Sequence, residues 1–226
     1  KFQDKYWDFI IVEDKINFDN TNEPVIPGKI TGSTDYSNDD RIKFSDISGH
    51  WAEDEIKSFV KRGYVHGKSE WSFLPDGFME RAEYVVMLGN VIGNIAEPGT
   101  SLYEDVTPGL WFNNGLYTCM QSGVIPEQMI EKSKFYANSS IKREEVFAML
   151  DLYLKNKAEQ TDYEQKPLSD FSDWTEVSEE YRSNLQELYS LGLLSGDENG
   201  NLNPQKRVTR AEAVSITSRV IKKMEG

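Results

Sequence analysis

Apolar residues recur at helical spacing in three successive pairs of segments, each pair split by a polar loop. In the first pair, Ala52, Ile56, Phe59 and Val60 share one face, a three-and-four spacing that predicts an amphipathic helix. Its second member carries Ala82, Val85, Val86 and Ile92. The middle pair holds the stretch from Gly115 to Met120, then Val146, Met149, Leu150, Tyr153 and Leu154. The last pair holds Leu185, Leu188, Tyr189 and Leu191, then Ala213, Ile216, Val220 and Ile221. A glycine follows each first member, at Gly63, Gly123 and Gly192, where a left-handed residue closes a helix. A helix–loop–helix unit of roughly 50 residues keeps too much surface exposed to fold alone. Three units can share one core. The expected fold is all-α: three helix–loop–helix repeats in a pseudo-threefold, pseudo-trimeric bundle.

The expected boundaries are 44–102, 103–170 and 171–226, with a charged linker from Lys155 to Lys166 that offers no core face. Residues 1–43 read as a short non-helical extension or linker. They contain a strand-like run from Phe9 to Val12 and turn-forming polar sequence after it. Asp4, Asp8, Glu13 and Asp14 interrupt any apolar segment there. The start therefore reads as a point inside a longer protein or a processing site, not a signal peptide.

Each repeat opens on an aromatic-x-Asp triplet, at Phe44-Ser-Asp46, Tyr103-Glu-Asp105 and Phe171-Ser-Asp173. Gly49-His50-Trp51-Ala52 follows in the first and Gly109-Leu110-Trp111-Phe112 in the second. The third has Glu180 where the tryptophan would stand. The aspartates precede the first helices, so capping or turn formation is their expected work. Each second helix opens on a related stretch: Glu80-Arg81-Ala82-Glu83, Lys142-Arg143-Glu144-Glu145 and Thr209-Arg210-Ala211-Glu212. Thr209 and Glu212 fit a capping box. Glu80 and Lys142 replace the threonine, at an expected cost of about 1 kcal/mol each. The arginine is the anomaly. It sits in the first helical turn, where the macrodipole favours an acid, and it does so three times.

Composition limits the partners. A net charge of −13 and a pI near 4.7 argue against nucleic acid as a partner. No run approaches the ~20 apolar residues of a membrane span, so no membrane insertion is expected. The single cysteine, Cys119, reads as a small buried apolar residue. Asp197-x-Asn199-x-Asn201 resembles the start of a calcium loop, but its glycine falls at position four and Val208 stands at position twelve. No cofactor or metal site is expected. Neither a phosphate loop nor a nucleophile elbow is present, and no catalytic activity is expected within these residues.

The ordered motifs resemble the S-layer homology family over residues 44–226. The resemblance implies a pseudo-trimer with a central helical bundle and grooves between neighbouring repeats. It also implies a role: holding a secreted or surface protein, without a covalent bond, on a Gram-positive-type cell wall or S-layer. The implied ligand is an anionic secondary cell-wall polysaccharide carrying a pyruvate ketal. Carried over, the groove positions are Arg81, Arg143 and Arg210, with Gly49, Trp51 and Trp111 and the loop residues His66, Gly67, Lys68, Ser69, Gly196 and Asn199. The chemistry is compatible. A guanidinium takes a ketal carboxylate with two parallel hydrogen bonds, helix N-terminal amides add donors, and a sugar face can lie on tryptophan. The groove carrying Arg81 and Trp111 is the expected principal one. The rival reading is a self-assembly or protein-interaction module making lateral surface-layer contacts without glycan. A third is the anchoring part of a glycan-active enzyme.

Overall fold

The computed structural model describes residues 42–93, 103–130, 133–157 and 163–225. The strand-like run from Phe9 to Val12 lies outside them. Among the described residues the architecture is helical, without extended strands. The helices are α1 (Glu53–Lys61), α2 (Arg81–Ile92), α3 (Asn113–Gln121), α4 (Glu127–Ile130), α5 (Arg143–Lys157), α6 (Arg182–Ser190) and α7 (Arg210–Glu225). α4 is a single turn inside the second loop, which the apolar pattern does not predict. α5 extends beyond the expected start of the linker. Lys155 remains helical and pairs at 2.6 Å with both Asp151 and Glu187.

The glycines end the first helices as predicted. Gly63, Gly123 and Gly192 have φ of 70°, 65° and 73°. The amides one residue on, in Tyr64, Val124 and Leu193, reach back to the carbonyls of Phe59, Cys119 and Leu188. That six-to-one bond satisfies a carbonyl the helix end leaves open.

Packing between repeats is cyclic. α2 lies against α3, α5 against α6, and α7 returns to α1. Each second helix thus covers the first helix of the next repeat, and the last closes on the first. Gly115 of α3 lets the α2 backbone approach, since a Cβ there would stand 2.6 Å from the Val86 Cα. Arg62 and Glu225, 2.7 Å apart, pin the closing pair from outside. The apolar positions named from sequence line this shared core, including Ala52, Ile56, Val85, Met149, Leu150, Leu185 and Ala213.

Just before the second helices the chain forms a ring. Short antiparallel bridges join Phe78 to Thr209, Glu80 to Ser140 and Lys142 to Arg207. The Met79 amide donates to Val208, Val208 to Ile141, and Ile141 back to Met79, at 2.9 to 3.0 Å. All three residues are buried. Three equivalent backbone segments satisfy one another in a closed cycle, which buried peptide groups require.

Candidate functional site

The aspartates of the opening triplets cap no helix and instead hold a turn far along the chain. Each crosses its own repeat to hold the loop ahead of the second helix. Asp46 accepts from the Phe73 and Leu74 amides at 2.9 and 2.8 Å and from the Ser72 hydroxyl. Asp105 accepts from Phe135 and Tyr136, and Asp173 from Leu202 and Asn203, at 2.7 to 2.8 Å. The second partner in each pair, Leu74, Tyr136 or Asn203, has φ between 53° and 60°. The carboxylate therefore stabilises a left-handed turn that an ordinary side chain resists. Burial alone would raise the Asp46 carboxyl, but hydrogen bonds from Ser72, Phe73 and Leu74 hold it below its usual range.

The arginines grip the same loops from the preceding repeat. Arg81 donates to the Phe135 carbonyl, Arg143 to Leu202 and Arg210 to Phe73, at 2.9 to 3.2 Å. In each loop one residue gives its amide to its own aspartate and its carbonyl to the neighbour's arginine. The helix N-terminal amides are used similarly. Those of Arg81, Arg143 and Arg210 bond to the carbonyls of Ser139, Lys206 and Gly77, and the amides that follow bond to Ala137, Pro204 and Pro75. The expected ligand donors at the helix starts are thus committed to the fold. The cation near the positive helix end is explained first by the loop carbonyl it meets.

The capping residues share one half of the box. Glu83, Glu145 and Glu212 accept from the amides of Glu80, Lys142 and Thr209 at 2.9 to 3.0 Å. The substitutions at Glu80 and Lys142 leave that half intact. The reciprocal bond is present at Glu80, which accepts from the Glu83 amide, and at Thr209, which accepts from the Glu212 amide at 3.2 Å.

The three arginines differ in their acids. Arg81 pairs with Glu145, whose side chain is 3% exposed. Arg210, itself 3% exposed, pairs with Glu83 at 2.8 Å and donates to the His66 carbonyl at 2.6 Å. Among the described residues Arg143 has no ion pair. Its Nε takes the Leu202 carbonyl and its guanidinium lies over Phe147, 5.2 Å from the ring centre. The acid in the equivalent place, Glu212, is held by Lys206 at 2.9 Å. Burial alone would raise the Glu212 carboxyl, but the Thr209 amide and the Lys206 ammonium bring it below its usual range. Burial works against the charge on Arg143, and the nearby Glu212 partly offsets it.

Arg143 opens onto a groove of about 390 Å³ drawn from all three repeats. Trp51 comes from the first, Arg143 and Phe147 from the second, and Gly196, Lys206 and Arg219 from the third. Trp51 is 62% exposed, a large apolar face presented to solvent. The acids here are occupied: Asp197 accepts from the amides of Asn199 and Asn201 and from the Asn203 side chain.

Three of the candidate residues therefore meet in one groove: Arg143, Trp51 and Gly196. Trp111 is half-buried and packs edge-on against Phe112, which stacks on Phe135, the residue whose carbonyl Arg81 holds. The loop candidates have internal work. Lys68 pairs with Glu83 at 2.6 Å, and the amides of Lys68 and Ser69 both bond the Ser72 carbonyl. Gly67 and Gly196 lie against the opening aromatics, where a Cβ would meet Phe44 at 2.4 Å and Phe171 at 3.0 Å. Gly49 has a φ of 72°, and its amide donates to Glu53. Cys119 is buried, its thiol pushed well up by desolvation. Sequence reasoning missed Lys206 and Arg219. The signal for Lys206 was a lysine at the position held by Gly77 and Ser139 in the other repeats.

Two regions of the chain, 43–85 and 170–214, match the S-layer homology domain. They correspond to the first and third repeats, whereas the middle unit is tied to them by its geometry. A surface-layer 125 kDa protein of Lysinibacillus sphaericus is 26% identical over 185 residues, 80% of this chain and 15% of its own length. An amylopullulanase of Thermoanaerobacterium thermosulfurigenes is 27% identical over 182 residues, 80% of this chain and 10% of its own. A cellulosome-anchoring protein of Acetivibrio thermocellus is 31% identical over 99 residues, 43% of this chain and 20% of its own. The chain thus spans a small part of the length of these relatives. It is similar to the S-layer homology family in these two regions, and to surface-layer proteins and an amylopullulanase over four fifths of its length.

Proposed function

We propose that the chain holds a larger protein on the cell envelope by binding an anionic, pyruvylated secondary cell-wall polysaccharide, chiefly in the groove of Arg143 and Trp51. On this reading the middle unit is a third, diverged copy of the same domain, with the three copies at 44–102, 103–170 and 171–226. Residues 1–43 are an N-terminal extension or linker on this reading. The observation that carries the reading is the contrast among the arginines. Two are committed to ion pairs, Arg81 with the buried Glu145 and the buried Arg210 with Glu83, while the third lies half-buried in an open groove with its terminal nitrogens unpaired among the described residues. A guanidinium so placed suits a planar carboxylate, and the exposed Trp51 gives the adjoining sugar an apolar surface. The net charge of −13 works against distant attraction, so recognition rests on local contacts and weakens moderately with salt.

Sedimentation with purified wall polysaccharide tests this, before and after mild acid has removed the ketal. The expected result is retention on the intact polymer and release from the treated one. Equal retention on both excludes the ketal as the recognised group.

A further inference from the structure

The threefold arrangement gives each motif arginine an acid from the next repeat. Arg81 faces Glu145, Arg210 faces Glu83, and Arg143 faces Glu212. Two of these pairs form ion pairs; the third does not. What differs is the residue whose carbonyl accepts the arginine's own backbone amide. It is Ser139 for Arg81, Gly77 for Arg210 and Lys206 for Arg143. Only the last can send a cation to the acid from that position, and it does so: the Lys206 Nζ stands 2.9 Å from Glu212. Lys68 reaches Glu83 at 2.6 Å from a different loop and leaves Arg210 paired there, so what separates the two lysines is the position each comes from.

We propose that Lys206 is a positioning residue that keeps Arg143 available to an anionic ligand by occupying Glu212. The inference rests on the reading of the Arg143 groove given above. Glu212 is close enough to Arg143 to favour its charge, and its other oxygen is fixed by the Thr209 amide. Without Lys206, the Glu212 carboxylate faces Arg143 much as Glu145 faces Arg81. The guanidinium then closes on it, and the ligand must break that pair. A binding-competent form populated one part in ten weakens apparent affinity by about tenfold. Lys206 thus converts a structural position into a receptive one, with no contact to ligand required.

The test uses three variants of the full chain: Lys206→Ser, the residue of the second repeat, Glu212→Gln, and both together. In Glu212→Gln the side-chain carbonyl can still accept from the Thr209 amide. The probe is the ketal-bearing wall polysaccharide. Lys206→Ser is expected to weaken binding about tenfold, and the double variant to restore it. Net charge alone would give the same restoration, so a second readout is needed. In ligand-free protein, nitrogen NMR reads rotation of the Arg143 terminal amino groups, which is slow in a formed ion pair. Slowed rotation in Lys206→Ser, relieved in the double variant, is the expected result. Rotation unchanged in Lys206→Ser overturns the proposal, as does a double variant that binds as weakly as the single. If Arg143→Ala leaves polysaccharide binding intact, the reading of the groove fails instead, whatever Lys206 does.

Discussion

Arg81 and Arg143 occupy the same position in successive repeats and do different work. Both open a second helix, and both hold the carbonyl of a loop in the next repeat. Around Arg81 the site is complete, because Glu145 is buried and has this cation as its ion-pair partner. Around Arg143 the acid is taken by Lys206, and the guanidinium faces a groove with an exposed tryptophan. The lesson is that a repeated motif residue need not be a repeated ligand contact. Its constant duty is to hold the loop of the next repeat, and the ion pairs around it differ from copy to copy.

The comparison is broken most severely at Arg81. Arg81→Ala strands a buried carboxylate and a loop carbonyl, so a loss of about 3–5 kcal/mol in denaturant unfolding is expected. A change under about 1 kcal/mol would mean that the pair does not hold the repeats together. Arg210→Ala should cost less, about 2–3 kcal/mol, because Lys68 remains on Glu83. A larger loss than at Arg81 would reverse the ranking.

The aspartate clamps offer a finer test. Asp46→Asn should cost about 1–2 kcal/mol at neutral pH, since three donors lose a charged acceptor. The sign of its pH dependence follows from the lowered carboxyl. The folded state holds the ionised form more tightly than the unfolded chain does. That contribution is complete above the ordinary aspartate range near about 4 and is lost as the pH falls through the folded value. Wild type should therefore lose more stability on acidification than Asp46→Asn, as thermal unfolding followed across that range would read. The smallest effect is expected at Gly192→Ala, about 1 kcal/mol, from a side chain forced to a φ of 73°. No shift in Tm would argue against strain at that helix end.

The sequence carried the paired helices, the glycine ends of the first members and the repeat, because apolar spacing and glycine position are local signals, but neither α4 nor the last turn of α5. It also brought Arg143, Trp51 and Gly196 forward as candidates. It did not reveal that they share a groove, since each comes from a different repeat and only cyclic packing brings them together. For the same reason Arg81 and Trp111, both strong by motif, suggested a principal site, while the ion pair between Arg81 and Glu145 lay outside any local signal. The aspartates looked like local caps because their true partners lie 27 to 31 residues away. Lys206 was invisible as a functional residue until its carbonyl showed which positions of the other repeats it corresponds to.

The central claim is that one groove, that of Arg143, takes the anionic sugar. Its most direct measurement is a calorimetric titration of wild type and Arg143→Ala with a ketal-bearing fragment of the wall polysaccharide. The account predicts one site per chain in wild type and no measurable binding in the variant, with unfolding free energy changed by about 1 kcal/mol. An unaltered isotherm in Arg143→Ala, or three equal sites in wild type, would contradict it.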